Sequence, residues 1–110
     1  MNGKIMPLEA LELIANRFKI LSEPLRLQIL QLLQNGEKSV TELTGLIETS
    51  QPNVSKHLKI LQTSGMVKRR QKGNTAFYAI ADESIFTLCE VVCSSLETRL
   101  KNQAEIFAQG

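Results

Sequence analysis

The chain has no tryptophan, one tyrosine and four phenylalanines in 110 residues. A platform that stacks unpaired bases needs several exposed rings, so a single-strand binder is not expected. There is one histidine, which excludes a His-rich metal site. That residue, His57, lies in a basic segment, and no Ser–His–Asp or Cys–His arrangement is recognisable, so an enzyme is not expected either. Two cysteines, Cys89 and Cys93, are too few for a disulfide framework, and a reducing compartment keeps them as thiols. No apolar run approaches the roughly 20 residues that span a bilayer. The stretch Met1–Pro7 lacks the apolar core of a secretory signal. A cytoplasmic protein with no membrane partner is the expectation.

One further absence is local. From Thr49 to Ala81 there is no Asp or Glu, while six basic residues occur: Lys56, Lys59, Lys68, Arg69, Arg70 and Lys72. The remainder holds seven basic and eleven acidic residues, so the net charge of +2 is +6 here and −4 elsewhere. A block of one sign in an otherwise acidic chain points to a polyanion, because each neutralised phosphate releases condensed counterions.

What is present organises as one domain over residues 1–110, with 43% hydrophobic residues and a core of Leu, Ile and Val. Leu8, Leu11, Ala15, Phe18 and Leu21 recur at helical spacing, with Pro7 at the start. Ser22 is placed as the cap of a second helix, Leu25 to Gln34, apolar on most sides and therefore expected at the centre of the bundle. Asn35-Gly36 ends it. Ser39 and Glu42 fit a capping box for a third helix to about Ile47. Ser50 caps a fourth, to about Ser64, and Gly65 stops it. Two short helices about three residues apart form a helix-turn-helix, here about 39–64. After Gly65 the period changes. Met66–Gln71 and Thr75–Ile80 read as strands joined by Lys72-Gly73-Asn74, a hairpin wing over about 66–80. Asp82 caps or begins a last helix striped with Ile85, Leu88, Cys89, Val92, Cys93, Leu96, Leu100 and Phe107, roughly 40 Å long at ~1.5 Å per residue. That exceeds what a domain of this size needs to cover its own core.

In the fourth helix Val54, Leu58 and Leu61 take the core side. Ser50, Gln51, Pro52, Asn53, Ser55, Lys56, His57 and Lys59 then form the candidate DNA-contacting set. Asn and Gln pair two-pronged with adenine and Lys reaches guanine, and a recognition helix enters the major groove N-terminus first. His57 joins this set through its place in the motif, the other reading being a helix-packing residue. On the wing, Arg70 and Lys72 are nearest the tip and are the candidate backbone contacts. The expected partner is double-stranded DNA. A winged helix that binds protein is the competing class, and it predicts an apolar or mixed face where this chain is cationic.

The run Leu21-Ser22-Glu23-Pro24-Leu25-Arg26-Leu27-Gln28-Ile29-Leu30, then Glu42-Leu43, then Ser50-Gln51-Pro52-Asn53-Val54-Ser55-Lys56-His57-Leu58-Lys59-Ile60-Leu61, and Ser64 to Arg70 with Tyr78 resemble the ArsR-type winged-helix repressors. The likeness extends from about Leu8 to Leu100. It implies a mainly α fold with a β-hairpin wing, and a homodimeric repressor paired through its first and last helices (about 7–21 and 82–108). It also implies an inverted-repeat operator and an effector that weakens DNA binding. Glu48 and Thr49 stand where the family often has Gly and an apolar residue, and Asn74 stands where an Arg is common. The metal sites implied by the family are not matched. Thr44, Gly45 and Leu46 occupy the Cys-x-Cys positions, and of Asp82, Ser84, Ser95 and Thr98 only Asp82 is a ligand type, so no metal site is expected.

Cys89 and Cys93 leave two readings. They are small packing residues within the apolar stripe, in a regulator without metal or thiol sensing. Or they sense a soft metal, a metalloid, an oxidant or a reactive sulfur species. Residues at i and i+4 have Cβ atoms about 5–6 Å apart, against about 3.8 Å in a disulfide. A bridging group therefore fits better than a direct bond.

Overall fold

The computed structural model describes residues 3–109, without the side chains of Ile106, Phe107 and Gln109. The Phe107 side chain of the expected stripe is thus not described, and Met1, Asn2 and Gly110 lie outside the described residues. The elements run α1 (Leu8–Leu21), α2 (Pro24–Leu33), β1 (Lys38–Ser39), α3 (Val40–Leu46), α4 (Gln51–Thr63), β2 (Val67–Lys72), β3 (Thr75–Ile80) and α5 (Ser84–Gln109).

Local chemistry sets most boundaries. Pro7 precedes α1 in an extended conformation. Ser22 does not cap α2. It ends α1, its hydroxyl donating to the Lys19 carbonyl at 2.6 Å, and the extended Glu23 leads into Pro24 at the first turn of α2. The capping box of α3 is complete: Ser39 Oγ accepts from Glu42 N–H at 3.1 Å, and Glu42 Oε1 accepts from Ser39 N–H at 3.1 Å. Gly65, at φ +80°, turns the chain from α4 into β2, a conformation that a side chain disfavours.

Strands β1, β3 and β2 form an antiparallel sheet in that order. Lys72 pairs with Thr75, so the wing turns on Gly73-Asn74 alone and not on three residues. Gly73 has φ +61° and Asn74 a negative φ, as in a type II′ turn. The two-residue strand β1, pairing Lys38 with Tyr78 and Ser39 with Phe77, is absent from the sequence reading.

The core gathers Ile29, Leu30 and Leu33 of α2, Leu43, then Val54, Leu58 and Leu61 of α4, with Met66, Val67, Tyr78 and Ile85. Helix α2 is less enclosed than its composition suggests. Leu27 is exposed and Leu25 and Leu32 are half-buried. Asp82 precedes α5 rather than opening it, accepting from Ser84 N–H at 3.0 Å and pairing with Arg17 of α1 at 3.4 Å. From Glu90 to Glu105 every residue of α5 is exposed, including Val91 at 64%, Leu96 at 52% and Leu100 at 62%. Helix α1 also leaves Leu8 at 69% and Leu13 at 74% exposed. The projecting half of α5 stretches the molecule to 59 Å along its longest axis, with a radius of gyration of 17.4 Å; a compact chain of this length has about 13 Å.

Candidate nucleic-acid interface

Helix α4 is held from beneath and open above. Val54, Leu58 and Leu61 are fully buried, while Ser50, Gln51, Pro52, Ser55, Lys56 and Lys59 are exposed. Ser50 Oγ accepts from Asn53 N–H at 3.3 Å and fixes the first turn. The half-buried Asn53 donates from Nδ2 to Thr49 Oγ1 at 2.9 Å. Thr49, at the position that departs from the common pattern, thereby orients Asn53. The exposed N-terminal turn of α4 presents the positive end of the helix dipole, which suits a phosphate.

His57 is placed differently from the sequence expectation. It is buried, at 8% exposure, and its Nδ1 accepts from Arg26 Nε at 3.0 Å. A ring that accepts at Nδ1 is neutral with its proton on Nε2. Arg26 also donates from Nη1 to the Ile20 carbonyl at 3.1 Å, so it ties the end of α1 and the start of α2 to α4. His57 is a packing and bracing residue, not a DNA contact. The signal was available: Val54, His57, Leu58 and Leu61 stand at i, i+3, i+4 and i+7, the full apolar-face pattern. Arg26 had no such signal and was missed.

Burial, and then the neighbouring Arg26 charge, hold the His57 pKa below its usual value. A folded-state pKa below the unfolded one means the unfolded chain binds more protons. The stability is therefore present above about pH 6.5 and lost as pH falls through the folded pKa. The melting temperature is expected to fall between pH 7.5 and pH 5. His57→Gln should remove that dependence. His57→Ala strands the Arg26 guanidinium and should cost about 1–3 kcal/mol, measured by denaturant unfolding.

The wing is cationic and exposed at Lys68, Arg69, Arg70 and Lys72. Arg70 is already engaged. Its guanidinium forms a two-pronged pair with Glu37, with Nε to Oε2 at 3.2 Å, and lies 5.4 Å from the centre of the Phe77 ring, its cross-strand neighbour. The Arg70 hydrogen bond holds the Glu37 carboxyl below its ordinary range. A phosphate contact by Arg70 thus requires exchange with Glu37, which the sequence did not reveal because the pair spans 33 residues. Arg69 donates to Gln71 Oε1 at 2.6 Å. Lys72, beside the tip, is exposed.

Residues 23–69 match the family described as bacterial regulatory protein, arsR family. The chain is 37% identical over 86 residues, 77% of its own length and 97% of the other's, to an uncharacterized HTH-type transcriptional regulator of Methanocaldococcus jannaschii. It belongs to the ArsR family. It is also 35% identical over 78 residues, 70% of this chain and 74% of the relative, to the arsenical resistance operon repressor of Bacillus subtilis. The homodimeric winged helix-turn-helix DNA-binding domain Mb0332 of Mycobacterium bovis, a possible ArsR-family regulator solved in solution, superposes with a TM-score of 0.74. It is 30% identical, with 93% of this chain and 95% of that one covered. This ArsR-family protein is a DNA-binding transcriptional regulator of winged helix-turn-helix fold, and not an enzyme. Among its described residues no helix is long and apolar enough to cross a membrane.

Proposed function

We propose that the protein is a homodimeric, cytoplasmic repressor that reads an inverted-repeat operator with α4 and follows the flanking backbone with its wing. One observation carries this reading. Gln51, Ser55, Lys56 and Lys59 stand exposed on a helix whose other side is locked into the core, inside a segment without a single acidic residue. Ser50, Gln51, Pro52, Asn53 and Ser55, leading into the groove, take the bases and nearest phosphates. Lys56, Lys59 and Lys72 take the backbone, joined by Arg70 when it leaves Glu37. Pairing is supported by the exposed apolar residues of α1 and α5 and by the similarity to a homodimeric domain. Repression is supported by the similarity to a named repressor. Derepression follows from a thiol-reactive effector acting on the Cys89–Cys93 stretch of α5.

The roles separate in a binding experiment. Gln51→Ala or Asn53→Ala should remove about 1–3 kcal/mol of discrimination between operator and random duplex. Lys56→Ala or Lys72→Ala should weaken both alike. Equal losses on the two duplexes for every variant would show that α4 does not read sequence.

A further inference from the structure

A groove of about 540 Å³ lies between α2 and the first half of α5, within the size range of small-molecule sites. Leu27, Leu30, Ile85 and Phe86 make it apolar, Gln28 and Gln31 supply amides, and both cysteines line it. Among the described lining residues the one charged side chain is Glu90, so an anion gains nothing there. A soft ion wants three or four donors. The groove supplies two thiols, and among the described residues no group of three or more metal-ligating side chains gathers. The thiols also differ. Cys93 is exposed, and its Sγ donates to Glu97 Oε1 at 3.5 Å, which pushes that thiol up and turns it toward a neighbouring carboxylate. Cys89 is half-buried, one turn closer to the apolar floor, and packs against the core.

We propose that this groove is the effector site and takes a neutral, flat organic electrophile of the enone class, which Cys89 captures by conjugate addition. The inference rests on the regulator reading above. The Cys89 sulfur bonds to the β carbon, and the π pair of the C=C bond moves onto the enolate. The thiol proton ends on the α carbon, so nothing is oxidised or reduced overall. An amide N–H of Gln28 or Gln31 donates to the carbonyl oxygen as it gains charge. Helix α2 links the groove to DNA. It carries Arg26, bonded to His57 of α4, and its Gln28 also lines the polar cleft beside Asn53 and Lys56. An adduct wedged between α2 and α5 shifts α2, and the Arg26–His57 bond passes the shift to the recognition helix. Effector and operator thus bias one element.

The test incubates the whole chain with benzylideneacetone, an uncharged flat enone, and maps adducts by peptide mass while operator binding is followed by fluorescence anisotropy. The expected result is a single adduct on Cys89, formed at least tenfold faster than on glutathione or on Cys93. The saturated analogue benzylacetone slows it, Cys93→Ser leaves it intact and Cys89→Ser abolishes it. The adduct weakens operator binding at least tenfold, whereas the enone leaves operator binding by Cys89→Ser unchanged. Faster labelling of Cys93, or a Cys89 rate equal to that of glutathione with no protection by benzylacetone, overturns the groove as a site. A fully labelled protein with undiminished operator affinity overturns its role as effector site. Should the unlabelled protein prefer no duplex over random DNA, the regulator reading fails instead, and the Cys89 rate and protection still decide the groove.

Discussion

Replacing Leu96 and Leu100 by Lys is expected to give a monomer whose operator affinity is lower by about a hundredfold to ten-thousandfold. Both side chains are more than half exposed on the projecting part of α5 and lie outside the buried core, so the substitutions leave the winged helix itself folded. Their effect falls on pairing. In a dimer the second recognition helix is delivered at a high effective concentration, and losing that tether costs about 10²–10⁴ in avidity without altering a single DNA contact. Random-duplex binding per subunit should change little, since α4 and the wing are untouched. A helical end that packs against nothing lacks the tertiary contacts that supply most helix stability, so the exposed end of α5 should also fray in the monomer. Sedimentation equilibrium, far-UV circular dichroism and operator titration together check this. A variant that stays dimeric would place the contact elsewhere.

The second large effect is ionic. Lys56, Lys59, Lys68 and Lys72 are exposed on the α4 and wing side. A dimer that neutralises about 6–10 phosphates should lose about 10³–10⁵ in affinity between 50 and 200 mM salt. Lys56→Ala removes one contact from each subunit and should make the log–log slope shallower by about two. Glu37→Gln should act in the opposite sense, because it frees the Arg70 guanidinium from its internal carboxylate partner. A flat salt response would favour a winged helix that binds a protein partner.

Much of this was legible wherever a short-range rule applies. The Ser39–Glu42 box, the Ser50 cap, the glycine at the hairpin tip and the periodicity of α1, α4 and α5 all depend on residues within one or two turns of each other. What escaped depends on distant partners. Strand β1 is two residues long and exists through its pairing with Phe77 and Tyr78, which no local pattern encodes. Arg70 looked free until the fold brought Glu37 to it. The exposure of Leu27 reflects the groove between α2 and α5, although the run Leu25–Leu33 reads as apolar on most sides. His57 is the instructive error: its apolar-face position was readable, and a polar residue type was given more weight than its spacing. Gln51, Ser55, Lys56 and Lys59 do face outward as expected, because Val54, Leu58 and Leu61 take the core side and force them there.

The most direct test of paired reading is a selection of the whole chain against random-sequence duplexes, followed by insertion of half a helical turn into the selected site. Two-fold related recognition helices predict an inverted repeat with half-site centres about 10–10.5 base pairs, or one turn, apart. The insertion should then reduce affinity to the random-duplex level. Enrichment of a single unrepeated site, or an inverted repeat that tolerates the insertion without loss, would contradict the account.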